Sequence, residues 1–356
     1  MMTTQALILV ALQLASPADL QALLDDLVST QDVPGISATV TREDRVLFSG
    51  GSGVADLETG TPMTADTRLY AGSLTKILTA TLALALVERG ELSLDQSVAG
   101  IADDTEITIG QLMAHTSGLD REGNFGYWFS AAFPDRAALS QYLESTSLRT
   151  TPGTDVRYSN IGYAALGLAI EAAIGRPYGE ALRSELALPL GLESTGAPGP
   201  VRDIAPGYTP RGRIIPNESR PFAGVGRQVG DRRLREYHDA AAMAPAFGAY
   251  TTTADLGRVV RFLLGYSENG LLGGDYRQLL LEPSADGRSL GLGIGRFQGR
   301  PVARHGGWFA AHRSYVLIDL NDGIGVAVIA NSDNARPGVI AETLLAAVLQ
   351  GTETAD

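Results

Sequence analysis

The chain has 356 residues, of which 44% are hydrophobic and 19% charged, enough apolar content to exclude wholesale disorder. Acidic residues outnumber basic ones by 40 to 28, a net charge of −12 that excludes a nucleic-acid partner, because phosphate binding needs a positive field. The absence of Cys excludes disulfides, Cys-ligated metal and a Cys nucleophile, and four His leave little room for a His-rich metal site, so no metal or cofactor is expected.

Residues 6–12 begin an apolar run that ends near Ala15. It falls short of the ~20 apolar residues of a membrane span, and no later segment reaches that length, so no integral membrane span is expected. The run reads as the core of a secretory signal over residues 1–16, with Ala15 and Ser16 near a cleavage point, which implies a periplasmic or secreted protein. Residues 1–5 carry no Lys or Arg, so a retained cytoplasmic N-terminus is the alternative. Ser16-Pro17-Ala18-Asp19 then supplies an N-cap, a first-turn Pro and a capping-box acid, ahead of Leu20, Leu23, Leu24 and Leu27 at helical spacing.

Residues 36–40 and 45–49 flank a short polar turn and predict a hairpin. Residues 74–88 predict an apolar helix closed by Arg89-Gly90. Residues 109–115, 136–143, 161–174 and 255–264 predict further helices, the last opened by a Thr252/Asp255 capping-box pair. Residues 196–245 are rich in Gly, Pro and Arg, with eight Arg from Arg202 to Arg235. They read as a solvated loop rather than an anion-binding surface, and one expected to line the site. Residues 292–297 and 301–305 predict a strand pair. Residues 315–320 and 324–330 predict another around Asn321-Asp322-Gly323, whose Asp-Gly is a strong hairpin signal. A last helix follows, with Val339, Ile340, Leu344, Ala347 and Val348 on its apolar side. Strands at both ends around a helical middle predict an α/β (α+β) fold. The expected α/β lobe takes residues of about 17–62 plus 285–349. A mostly helical lobe of about 63–284 is inserted in it, and 350–356 form a tail.

The chemistry concentrates in three places. Gly72-Ser73-Leu74-Thr75-Lys76 sits where a loop enters the apolar helix, and Lys76 is the only lysine among the 28 basic residues. Residues three apart share a helical face, so Ser73 and Lys76 are expected to touch. Helix amides there point at any oxyanion that forms, and a buried Lys is discouraged from ionising, so it can accept the Ser proton. The second place is Arg157-Tyr158-Ser159-Asn160. Tyr158 is expected to relay a proton to the leaving group, with a nearby cation holding part of it as phenolate. Asn160 either orients Lys76 or donates to a substrate carbonyl. The third is Arg304-His305-Gly306-Gly307-Trp308, at the end of a predicted strand, where two Gly let a substrate lie close and the Trp308 amide forms one arm of an oxyanion hole.

These elements, in this order, resemble the serine β-lactamase and penicillin-binding superfamily, closest to its class C-like branch, which also holds esterases and D-stereospecific peptidases. The resemblance includes residues 62–67 before Ser73, 90–95 after its helix, 112–119, 152–163, 189–192, 253–256 and 305–332. It covers roughly residues 17–349 as a single catalytic domain, with 196–245 unmatched. It implies a β-lactamase/transpeptidase-like fold, an antiparallel sheet flanked by helices. It also implies Ser73 as the acylated nucleophile, Lys76 as its base partner, Tyr158 and Asn160 as the Tyr-x-Asn motif, and the Ser73 and Trp308 amides as the oxyanion hole. His305-Gly306-Gly307 stands where typical class C β-lactamases have Lys-Thr-Gly. His115 falls in a loop signature that looks structural, and His238 and His312 match nothing.

The third motif departs from that pattern. His305 is mostly neutral at pH 7 if unperturbed, and Gly306 has no hydroxyl, so binding of a β-lactam carboxylate is weakened. Arg304 does not restore the charge, since neighbouring strand residues face opposite sides. The sequence therefore predicts a metal-free serine hydrolase acting on an ester or a small peptide or amide. The alternatives are a penicillin-recognising carboxypeptidase or weak β-lactamase and, from another class, a non-catalytic binding or sensor protein on the same fold.

Overall fold

The computed structural model describes residues 15–102, 105–130, 132–197, 203–212, 228–235, 239–267, 270–283 and 289–353. The apolar run at 6–12 and His238 lie outside the described residues. Seven strands form the main sheet: β1 (Gly35–Arg42), β2 (Arg45–Asp56), β3 (Thr61–Pro62), β4 (Gly293–Phe297), β5 (Arg300–Phe309), β6 (His312–Asp319) and β7 (Ile324–Ala330). Their order is β3-β2-β1-β7-β6-β5-β4, antiparallel at every step, so the two ends of the chain meet at the centre where β1 pairs β7.

Five longer helices follow: α1 (Pro17–Gln31), α4 (Thr253–Leu263) and α5 (Pro337–Glu353) pack on this sheet, while α2 (Thr75–Glu88) and α3 (Asn160–Ile174) pack against each other in the helical middle. The Ser16 box forms as the sequence implies. Its hydroxyl accepts the Asp19 N–H at 3.2 Å, and the Asp19 carboxylate accepts the Ser16 N–H at 2.8 Å. Strand alternation divides the interior. Ile36, Ala38 and Val40 face α1 and α5 in one apolar cluster, while Ala303, Phe309, Ile329 and the helical middle form the other. On that second face Ser37 and Thr39 hydrogen-bond Thr253 at the start of α4, which lets a helix sit close on the central strand. Each fully buried Leu or Ile here contributes about 1.5–3 kcal/mol.

Four expectations change. β5 runs on to Phe309, so His305-Gly306-Gly307-Trp308 lies inside a strand rather than at its end. The Thr252/Asp255 box is half made: Thr252 caps Asp255 N–H, but the Asp255 carboxylate instead takes Ser194 N–H, Thr195 and Arg258. On α5, Val339 is exposed and the buried row is Ile340, Ala341, Leu344, Leu345 and Val348. The described part of 196–245 is not a bare solvated loop: Gly207–Tyr208, Gln228–Val229 and Arg232–Arg235 make a small sheet, and buried Arg232 ion-pairs Asp32 at 2.9 Å.

Candidate active site

Ser73 stands in a short 3₁₀ turn, Gly72–Leu74, one step ahead of α2. The turn is pinned from below: the Thr75 hydroxyl donates to the Gly72 carbonyl at 2.6 Å and accepts the Ala249 N–H at 3.1 Å. Gly72 has φ +54°, and a Cβ there would collide with the Trp308 amide nitrogen, so only glycine lets the turn approach β5 this closely.

Lys76 is fully buried in α2, an apolar helix with no solvent face along its first three turns. Its Nζ donates to Asn160 Oδ1 at 2.7 Å and to the Ala246 carbonyl at 2.7 Å. Asn160 opens α3, and its amide orientation follows from its neighbours, since Nδ2 faces both oxygens of Glu122 at 3.0 and 2.9 Å. Asn160 therefore orients Lys76, and its donors are taken by Glu122 rather than offered to a substrate. Burial drives the Lys76 pKa well below 10.5; the Glu122 carboxylate opposes this and the Arg121 guanidinium adds to it. A neutral amine has two N–H bonds and one lone pair. Two pure acceptors occupy both hydrogens and leave the lone pair for another partner.

The expected contact between Lys76 and Ser73 is not made as a direct hydrogen bond; Tyr158 is the neighbour the two share. Lys76 Nζ sits 4.7 Å from the Tyr158 ring centroid, and the phenol hydrogen-bonds Ser73. Burial pushes the phenol up to about 12, while the Ser73 hydrogen bond and Arg121 pull weakly the other way. The expected partial phenolate is thus overturned: Tyr158 carries its proton at neutral pH, because desolvation outweighs the nearby cation.

His115 packs against the Tyr158 segment. Its φ is +59°, unusual for a residue with a Cβ. Its carbonyl accepts Arg157 N–H at 2.7 Å, its Nδ1 accepts Ser159 N–H at 3.1 Å, and its ring lies 4.5 Å from that of Tyr158. It grips the backbone on both sides of Tyr158 and stacks on the ring between. Burial is the chief cause holding its pKa well below the usual imidazole value.

β5 forms the opposite wall. The two-residue Ala310-Ala311 turn makes Phe309 and His312 a hydrogen-bonded pair, so Phe309, Gly307 and His305 direct their amides to β6. The Gly306 and Trp308 amides point the other way, to an edge left open because β4 pairs only as far as Arg304. A Cβ on Gly307 would collide with Ser314 Oγ and the Ala71 carbonyl and lie 3.0 Å from the Ser73 nitrogen. The Ser73 turn and the 307–308 segment of β5 are consequently in close backbone contact. His305, half-buried, donates Nδ1–H to the Gly306 carbonyl at 2.8 Å; burial and then Lys76 push its pKa down to about 4, so it is neutral at pH 7.

A cavity of about 590 Å³ brings together Ser73, Tyr158, Asn160, His305, Gly306, Gly307 and Trp308, with Lys76 under its floor. No described residue of 196–245 lines it, contrary to expectation; the segment from Ala335 to Gly338 and Trp128 do. Sequence reading also missed Glu122 and the Ala246 carbonyl, which carry no local signature. Trp128 did leave one, since Tyr127-Trp128-Phe129 is an aromatic triplet holding one of only two Trp.

A family model described as Beta-lactamase matches residues 20–350. Esterase EstB of Burkholderia gladioli is 34% identical over 206 residues, 50% of this chain and 51% of its own. Penicillin-binding protein 4 of Amycolatopsis lactamdurans is 34% identical over 184 residues, 49% and 48%. The chain thus spans about half the length of these curated relatives. A class C beta lactamase from Rhodobacter sphaeroides superposes with a TM-score of 0.74 at 21% identity, covering 93% of this chain and 99% of that one, which shows a common fold. Because the family match runs over nearly all of the described residues, from α1 into α5, the chain belongs to the Beta-lactamase family.

Proposed function

We propose that this chain is a serine hydrolase that works through an acyl-enzyme on Ser73, with an ester or a small peptide or amide as substrate. The observation that carries the reading is the pair of acceptors on buried Lys76, which takes up both hydrogens of a neutral amine and leaves a lone pair for the Ser73 proton. Ser73 Oγ attacks the carbonyl carbon as its proton passes to Lys76 Nζ. The Ser73 and Trp308 amides hold the oxyanion. Collapse breaks the bond to the leaving group, which takes the phenol proton of Tyr158, and the Lys76 ammonium restores the phenol. Water then attacks the acyl carbon, its proton returns to the Tyr158/Lys76 pair, and Ser73 leaves with its own proton regained.

The 34% likeness to an esterase supports an ester substrate, and neutral His305 beside Gly306 supports one that presents no carboxylate at that point. A second reading, a penicillin-recognising peptidase, is favoured by the likeness to a penicillin-binding protein. Among the described residues no helix is long and apolar enough to cross a membrane; export to the periplasm or medium is our reading of the apolar run at 6–12. Mass spectrometry after exposure to a fluorophosphonate, a p-nitrophenyl ester and benzylpenicillin tests the proposal. We expect an adduct on Ser73 with the first two and none in Ser73→Ala. An unlabelled wild-type chain overturns the hydrolase reading, and a long-lived penicilloyl adduct moves the choice to the second.

A further inference from the structure

We propose that the acyl half of the substrate is aromatic and lies against Trp128 and Trp308; this rests on the Ser73 acyl-enzyme reading above. Two cavities meet at Tyr158, His305, Gly306 and Tyr315. The one that contains Ser73 holds both tryptophans and Phe247, and the other, of about 460 Å³, has neither Trp nor Phe on its wall but Val156, Leu292 and Ile294 beside the His115 ring. Tyr158 stands in both and delivers the proton to the departing group. The leaving group therefore exits past Tyr158 toward the second cavity, and the acyl group stays in the one that holds the tryptophans.

The rings there are fixed before any substrate arrives. Trp128 and Trp308 lie 5.2 Å apart at 42°, and Trp308 Nε1–H is tied to Asp333 at 2.7 Å. Phe247, buried, packs under Trp128 at 5.1 Å and is held in turn by Phe309 at 5.3 Å and Phe133 at 5.8 Å. Both tryptophans of the chain line this one cavity. Rings prefer offset or edge-to-face partners at 4.5–7 Å, an attraction beyond area burial that an alkyl chain of equal carbon count does not gain. Side chains with two χ angles also lose little freedom when they bind, so the wall discriminates by shape.

The test compares p-nitrophenyl phenylacetate with p-nitrophenyl octanoate, eight acyl carbons each on one leaving group. We expect kcat/KM to favour phenylacetate roughly 10- to 100-fold. Trp128→Leu and Phe247→Leu, which keep an apolar side chain and remove ring faces, should each cut that ratio about tenfold. Thermal melting and fluorophosphonate labelling report whether the variants fold. A labelled wild-type enzyme with a ratio of one or less, or a ratio that neither variant moves, overturns this inference and leaves the Ser73 reading intact. No labelling and no turnover of any ester overturns the Ser73 reading itself. If ester turnover is too slow to rank, protection of Ser73 from labelling by benzylboronic against heptylboronic acid reads the same preference; equal protection counts against it.

Discussion

The two walls of the site are built in opposite ways. On the helical side the chemistry belongs to side chains: Lys76, Asn160, Glu122 and Tyr158 form one polar network sunk among apolar neighbours. On the β5 side it belongs to the backbone, where glycines remove side chains so that the Ser73 turn and the strand can approach closely. The helical wall is sensitive to proton and charge changes, because low dielectric magnifies each of them. The strand wall is sensitive to volume. A neutral histidine is tolerated there because the strand contributes shape and amides rather than charge.

Substitutions can separate these two sensitivities. Lys76→Met keeps bulk and removes the amine, and should lower kcat/KM by about 10⁴-fold, measured with a p-nitrophenyl ester. A variant that retains even a tenth of the rate would place the base elsewhere. Tyr158→Phe keeps the ring that stacks on His115 and deletes the proton donor. We expect a loss of about 10³-fold that shrinks as the leaving group becomes more acidic; a loss independent of leaving group would mean a packing role. Gly307→Ala leaves every titrating group in place but intrudes on Ala71 and Ser314, and should cost about 10²-fold through the oxyanion hole, with the pH–rate profile unmoved.

Glu122→Gln gives the smallest change at neutral pH and the clearest one in the profile. The carboxylate favours the Lys76 ammonium, so its removal lowers the Lys76 pKa further. The rate rises with pH as the ammonium loses its proton; the rising limb should therefore move to lower pH, and movement to higher pH would contradict the electrostatic assignment. Above that limb the rate should stay level until the Tyr158 phenol titrates near about 12.

How much of this was legible beforehand differs between the walls. Ser73 and Lys76 are three residues apart where a turn enters an apolar helix, and a lone lysine in an apolar run stands out, so their being neighbours in the chain could be read locally. Asn160 and Tyr158 were visible as a motif, but the partners that fix their states were not. Glu122 lies 38 positions from Asn160, and the Ala246 carbonyl lies 170 from Lys76. The phenolate expected at Tyr158 failed because a sequence shows that a cation is near without showing how much water has been removed. The half-made Thr252 box failed similarly, when Ser194 and Thr195 arrived from 60 or so residues away to claim Asp255.

By itself the sequence determined most of the elements and the placing of Ser73 and Lys76 at the start of an apolar helix, since each depends on neighbours within a few residues. Only the tertiary structure decided which protons sit where and what the cavity wall is made of. Those depend on burial and on contacts between distant segments, and burial is a property of the packed molecule that no local spacing encodes.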